Sequence, residues 1–216
     1  MGFCMLSVFI IIGVAVVAVK VAEGQIVPML CVFGDSVVDV GNNNNLNTMI
    51  KANFLTHGRE FVTHKLTGRF CNGKLATDFT AEYLGFSSYP PTYLSQDANG
   101  KNLLTGANFA SGYFDGTAQF YGAISLSQQL AYYKEYQDEL VGTKTNGIHL
   151  LSAGSSDFLQ TITTSILSSK PSPLISFQTF SSDPSLLLSR LGVRKIGVTT
   201  VPPIGCLPHH TVWLRE

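Results

Sequence analysis

Charge is scarce in this sequence: Asp, Glu, Lys and Arg make up 13% of its 216 residues, fourteen acidic against fourteen basic, with no basic run or stripe. Nucleic-acid binding requires a concentrated cationic footprint, so no nucleic-acid partner is expected. The Asn-x-Ser/Thr sequon is missing altogether, and N-glycosylation is not expected even on a secretory route. No apolar run reaches the ~20 residues that cross a bilayer as a helix. Met5–Val19, ended by Lys20, falls short, which argues against a stable membrane anchor. Histidine is sparse too, at positions His57, His64, His149, His209 and His210. Only the last two adjoin, and no third ligand stands at a recognisable spacing, so no metal site is expected. No pattern calls for a cofactor.

What is present begins with an address. The apolar run is followed by Ala22-Glu23-Gly24, a small-x-small pattern suited to signal peptidase. Residues 1–24 are therefore read as a signal peptide, with Gln25 first in the mature chain and the extracellular space as destination; an uncleaved anchor is the alternative. Residues 25–216 suffice for one α/β domain with its own core. Cys4 leaves with the leader, and Cys31, Cys71 and Cys206 remain, an awkward odd count for an oxidising compartment. Cys31 lies inside an apolar run and reads as a small buried hydrophobe.

Apolar runs bounded by Gly or Pro alternate with segments of helical period, the pattern of a parallel sheet wrapped by crossover helices. Met29–Phe33, Ala107–Ala110, Ile148–Ser152 and Lys195–Thr200 are expected as strands. Leu75–Leu84 is expected as a helix with Leu75, Phe79 and Tyr83 on its inner face, capped by Asn72 and stopped at Gly85. Ser127–Leu140 repeats the pattern with Leu126, Leu130 and Tyr133, and Leu186–Leu191 reads as a last helical turn before Gly192. The Ser- and Pro-rich stretch Ser165–Ser182 reads as an irregular surface connection. Open α/β sheets bind ligands at the carboxyl ends of their strands. Ser36, Gly112 and the Ser155-Ser156-Asp157 turn all follow expected strands, so a parallel sheet gathers them at one edge.

Four segments stand out in order. Residues 33–44 read Phe-Gly-Asp-Ser-Val-Val-Asp-Val-Gly-Asn-Asn-Asn. Later come Gly68-Arg69-Phe70-Cys71-Asn72-Gly73-Lys74 with Asp78 behind it, Gly106-Ala107-Asn108-Phe109-Ala110-Ser111-Gly112, and Val201-Pro202-Pro203-Ile204-Gly205-Cys206-Leu207-Pro208. Together they resemble the plant-type GDSL esterase/lipase family of the SGNH hydrolase superfamily, over roughly Val27–Pro208. The resemblance implies a three-layer α/β/α flavodoxin-like SGNH-hydrolase fold with a parallel sheet, incomplete at the C-terminus. It implies hydrolysis of small-molecule or lipid esters through an acyl-Ser36 intermediate, with the Ser36 N–H, Gly112 and the residue at Ser156 as oxyanion donors and Gly106 as the fallback for Gly112. It also implies that Cys206 matches a family cysteine that usually pairs with one further downstream.

Two departures from the family bear on chemistry. The third block's Gly-x-Asn-Asp is here Gly154-Ser155-Ser156-Asp157, so a serine replaces an amide donor; loss of one such donor typically lowers kcat by about 10²–10³. Asp157 is expected to brace that turn. The family's late Asp-x-x-His, which supplies base and orienting carboxylate, occurs nowhere in the chain; His209 and His210 are the candidates placed to approach the active edge. Two readings therefore stand: a secreted ester hydrolase, or a catalytically inactive shortened member or fragment. The second carries a further expectation, self-association through apolar surface left exposed by truncation.

Overall fold

The computed structural model describes residues 24–112, 115–140, 146–155 and 184–199. Three strands, β1 (Leu30–Gly34), β2 (Ile148–Ser152) and β3 (Ile196–Val198), lie in that order and run parallel, with Leu30 opposite Ile148 and Gly34 opposite Ser152. Along the free edge of β1 runs 107–111: Val32 N–H donates to the Ala107 carbonyl, Phe109 N–H to the Val32 carbonyl and Ser111 N–H to the Gly34 carbonyl. Ala107–Ala110, expected as a strand, is therefore an extended segment with isolated bridges at Asn108 alone, to Val32 on one side and Thr92 on the other. The reason is competition from side chains. Asn108 Oδ1 accepts Ala110 N–H, and Gln129 Oε1 takes the Gly34 N–H that would otherwise extend the ladder.

Every residue of β1 is buried, as a parallel strand covered on both faces must be. Its side chains alternate between two cores. Cys31 and Phe33 join Phe109, Leu126, Leu130, Tyr133, Tyr136 and Leu188, under α3 (Leu126–Glu139) and α4 (Pro184–Arg190). Leu30 and Val32 face Val27, Val38, Ala81, Leu84 and Ala110, under α1 (Ala76–Tyr83). The chain is thus an α/β fold with helices on both faces of a parallel sheet. A short helix α2 (Asp115–Tyr121) precedes α3. Rings dominate the first core: Phe33 stacks on Phe109 at 5.1 Å and meets Tyr133 edge-on at 5.3 Å, geometries that add about 0.5–1.5 kcal/mol each beyond area burial. Burial pushes the Cys31 thiol up to about 12, so it stays protonated and inert.

α3 follows its periodicity, with Leu126, Leu130 and Tyr133 buried and Ser125 Oγ accepting Gln128 N–H at its N-terminus. α1 does not. Phe79 and Tyr83 are exposed, and Thr77, Asp78 and Ala81 are buried instead. The rotation is set by Asp78, whose carboxylate must reach both Arg69, at 3.0 and 3.1 Å, and the Leu75 N–H, at 2.8 Å. The N-cap position accordingly falls at Leu75 rather than Asn72. Gly85 ends the helix with φ +78°, as expected. The Ser165–Ser182 stretch, Cys206 and residues 1–23 lie outside the described residues.

Candidate active site

The Gly-Asp-Ser turn starts where β1 ends, and its geometry leaves one choice of residue at Gly34. There φ is +145°, and a Cβ would stand 1.8 Å from the Ser152 carbonyl oxygen. Strand β2 thus presses directly on the turn. Asp35 follows, fully buried, and its carboxylate is a fastener. Oδ1 accepts Val37 N–H at 3.1 Å; Oδ2 accepts the Gly154 N–H at 3.0 Å and the Ser155 hydroxyl at 2.9 Å. Its own N–H donates to the Ser152 carbonyl at 3.0 Å. The loops after β1 and β2 are therefore locked together through one side chain. Asp157, expected to brace that turn, lies outside the described residues. Ser36 is half-buried at this junction.

Gly112 reaches the same edge, because Ser111 N–H donates to the Gly34 carbonyl at 3.1 Å one residue earlier. A Cβ on Gly112 would sit 2.1 Å from Ile50 Cγ2 and 3.1 Å from Asn43 Nδ2, so any larger residue would have to displace the Ile50 side chain. Gly106 lies at the other end of the segment, pressed against the Leu30 carbonyl at 2.0 Å by the same measure. Ser156, His209 and His210 lie outside the described residues.

The asparagine run is a structured loop. Asn42 Nδ2 donates to the carbonyls of Asn108 and Ala110 while its Oδ1 accepts Leu94 N–H. Asn43 Oδ1 accepts the Ser111 hydroxyl at 2.8 Å, which itself accepts Ile124 N–H. Asn108 Nδ2 closes the set on the Val38 carbonyl at 2.8 Å. Beneath them Asp39 accepts from Gly41 N–H, Asn42 N–H and Asn43 Nδ2. Burial pushes its carboxyl up to about 7, against the two backbone donors that favour the charged form. Asn44 Oδ1 is buried without a partner, but the bonds of Asp39, Asn42, Asn43 and Asn108 together hold the loop in one arrangement.

Two contributors were not legible as such. Gln129 sits in the apolar stripe of α3, three residues after Leu126, and clasps Gly34 from both sides: Oε1 accepts its N–H and Nε2 donates to its carbonyl, both at 2.9 Å. A glutamine inside an otherwise apolar helical stripe was the signal available. The Gly68–Lys74 block acts through Arg69, whose guanidinium forks onto Asp78 and lies 4.5 Å over the Phe61 ring.

Among the histidines, His149 is a core residue. Its Nε2 bonds the Tyr133 hydroxyl at 2.7 Å, and burial holds its pKa down at about 4. It also precedes the strand end at Ser152 by three residues, about 10 Å of extended chain, so it does not serve the site. His57 and His64 line a separate cleft of about 480 Å³. Among the described residues no three His, Cys, Asp or Glu side chains gather as a metal site, and no helix is long and apolar enough to cross a membrane.

Ser36, the residue expected as nucleophile, stands on a turn at the carboxyl end of the first strand of a parallel α/β sheet, and Gly112 closes the neighbouring segment at that edge. A model of the GDSL-like lipase/acylhydrolase family matches residues 30–215, and the chain belongs to that family. It is 54% identical to the GDSL esterase/lipase At5g03820 of Arabidopsis thaliana, over 96% of this chain and 63% of that protein. To the GDSL esterase/lipase At5g22810 of the same plant it is 52% identical over 89% of this chain and 59% of that one. With the GDSL esterase/lipase APG the figures are 51%, 88% and 58%. The chain thus spans about three fifths of the length of these relatives.

Proposed function

We propose that the protein hydrolyses carboxylic esters, of small acyl compounds or lipids, through Ser36. The Ser36 Oγ attacks the ester carbonyl carbon as its proton passes to a base. The tetrahedral oxyanion then collapses, expelling the alcohol with a proton, and water releases the acid from acyl-Ser36. Donors for the oxyanion are the backbone N–H groups of Ser36 and Gly112, with the Ser156 hydroxyl as a weaker third. The observation that carries this reading is the fastening of the turn before Ser36: Gln129 and Ser111 hold Gly34, and Asp35 holds Gly154 and Ser155. Such support holds a nucleophile in one geometry, which is what acyl transfer requires.

The proposal extends to export, with residues 1–24 as a removed leader. Ile26 N–H donates to the Leu84 carbonyl at 2.9 Å and Val27 is buried, so the chain is built into the domain from just beyond Gln25. It extends also to self-association through apolar surface, to which Leu186 of α4 and Val198 of β3 contribute exposed side chains.

One sequence fact favours a second reading of the 216 residues taken alone. They contain no Asp-x-x-His, and a triad stripped of its histidine loses on the order of 10⁶ in kcat. On that reading this chain binds esters and turns them over barely above background. The test is hydrolysis of a p-nitrophenyl short-chain ester by the secreted chain and by Ser36→Ala. A rate abolished by the substitution establishes the hydrolase. Equal rates, with no covalent adduct on Ser36 from a fluorophosphonate, establish the second reading for this chain.

A further inference from the structure

Five of the thirteen large hydrophobic side chains exposed among the described residues fall in one short segment: Met49, Phe54, Leu55, Val62 and Leu66. Met49 and Leu55 are 87% and 86% exposed. This is not loose packing. Within the same segment Ala52 and Phe61 are buried, and Phe61 lies under the Arg69 guanidinium. The backbone is pinned by Gly58 N–H to the Cys71 carbonyl, Glu60 N–H to the Asn72 carbonyl and Phe61 N–H to the Gly58 carbonyl. The segment is therefore held with its apolar side chains outward, an arrangement that folding alone does not require.

Charge runs with it. The chain as a whole is neutral, yet 49–66 carries Lys51, Arg59 and Lys65 against Glu60 alone; Arg59 pairs with Glu60 at 2.9 Å, which leaves Lys51 and Lys65 as the excess charge. Arg59 and Lys65 line the cleft of about 480 Å³, with Leu55 and Leu66 as its apolar wall and His57 and His64 beside them. The His57 Nδ1 is buried there without a partner. Exposed apolar side chains flanked by cations match the boundary of an anionic bilayer, where acyl chains meet phosphates.

We propose that segment 49–66 docks the protein on an anionic lipid surface. Phe54, Leu55, Val62 and Leu66 enter the headgroup boundary, and Lys51 and Lys65 pair with lipid phosphates. The surface adjoins the candidate active site: Ile50 Cγ2 packs against Gly112, and His57 bridges Phe54 at 4.6 Å to Phe70 at 6.2 Å, whose ring also borders Gly112. A docked molecule would take its ester from the lipid surface. That substrate class rests on the hydrolase reading; the docking does not.

The test is co-sedimentation of the full chain with vesicles of phosphatidylcholine alone and of an equimolar mixture with phosphatidylglycerol. Each cation near an anionic surface is worth about a fivefold change in partitioning. Binding is expected on the mixed vesicles, weakened by high salt, and reduced about 10²-fold in the triple variant Lys51→Gln/Arg59→Gln/Lys65→Gln. Phe54→Ser/Leu55→Ser, at exposed positions, should lose binding while its melting curve stays unchanged. Equal partitioning to both vesicle types, or variants that bind as the parent does, overturns the proposal. So does a dimer that Phe54→Ser/Leu55→Ser disrupts with no vesicle binding by the parent, since the surface then joins two copies. Ser36→Ala should sediment like the parent. Docking without turnover leaves this proposal standing and the hydrolase reading refuted; Ser36-dependent turnover without docking does the reverse.

Discussion

The clasp of Gln129 on Gly34 makes a quantitative demand on stability. Both groups are fully inside, and the glutamine supplies the acceptor for one backbone N–H and a second donor for one carbonyl, each at 2.9 Å. In Gln129→Leu the carbonyl keeps Ser111 N–H, but the Gly34 N–H is left buried and unpaired. An orphaned buried donor costs about 1–3 kcal/mol and the second lost bond about 1, so the variant should be about 2–4 kcal/mol less stable. That is a large part of the ~5–15 kcal/mol of an ordinary domain. Gln129→Glu sharpens the reasoning, since it keeps the shape and the acceptor but turns a carboxylate oxygen toward the Gly34 carbonyl. A carboxyl buried there has its folded pKa raised, so its stability is present at low pH and lost as pH rises through that value. Urea unfolding should therefore place Gln129→Glu well below the parent near pH 8 and much closer to it near pH 5. A Gln129→Leu midpoint within about 0.5 kcal/mol of the parent, at an unchanged m-value, would refute the clasp as a support of the turn.

The buried His149 should leave a pH signature. Its folded pKa of about 4 lies below the ordinary ~6.5, so its contribution is complete above about pH 6.5 and is lost as pH falls toward 4, roughly 3 kcal/mol over that span. Asp39, held up at about 7, has the opposite slope in the same window, so the term is read as the stability difference between the parent and His149→Gln, which should shrink on acidification. Arg69→Lys keeps the charge but loses the fork on Asp78 and the stacking on Phe61, and should cost about 1–3 kcal/mol in urea unfolding; a neutral result would mean the fork is dispensable. Expression in a secretory host should yield a product starting at Gln25 by N-terminal sequencing, and Met1 retained on membrane-bound material would contradict the leader.

The strands and the turn were visible in the chain itself because their causes are local. Ile148–Ser152 is bounded as expected, and β1 differs by one residue at each end, since a run of apolar residues closed by glycine needs no distant partner to be read. Ser36 after the first strand and Gly112 after the second segment follow from the same local chemistry, as does the inner face of α3. The face that α1 buries was misjudged because its apolar residues Phe79 and Tyr83 lost to an ion pair whose other half, Arg69, stands nine residues away. Tertiary structure alone decided what holds the site. Gln129 lies 95 residues from Gly34, Ser155 lies 120 from Asp35 and Ser111 lies 68 from Asn43. Nothing local marks a glutamine, an aspartate or an asparagine as the partner of a group so far along the chain. Only the closing of the sheet, which buries those backbone groups and withdraws water from them, makes each pairing obligatory.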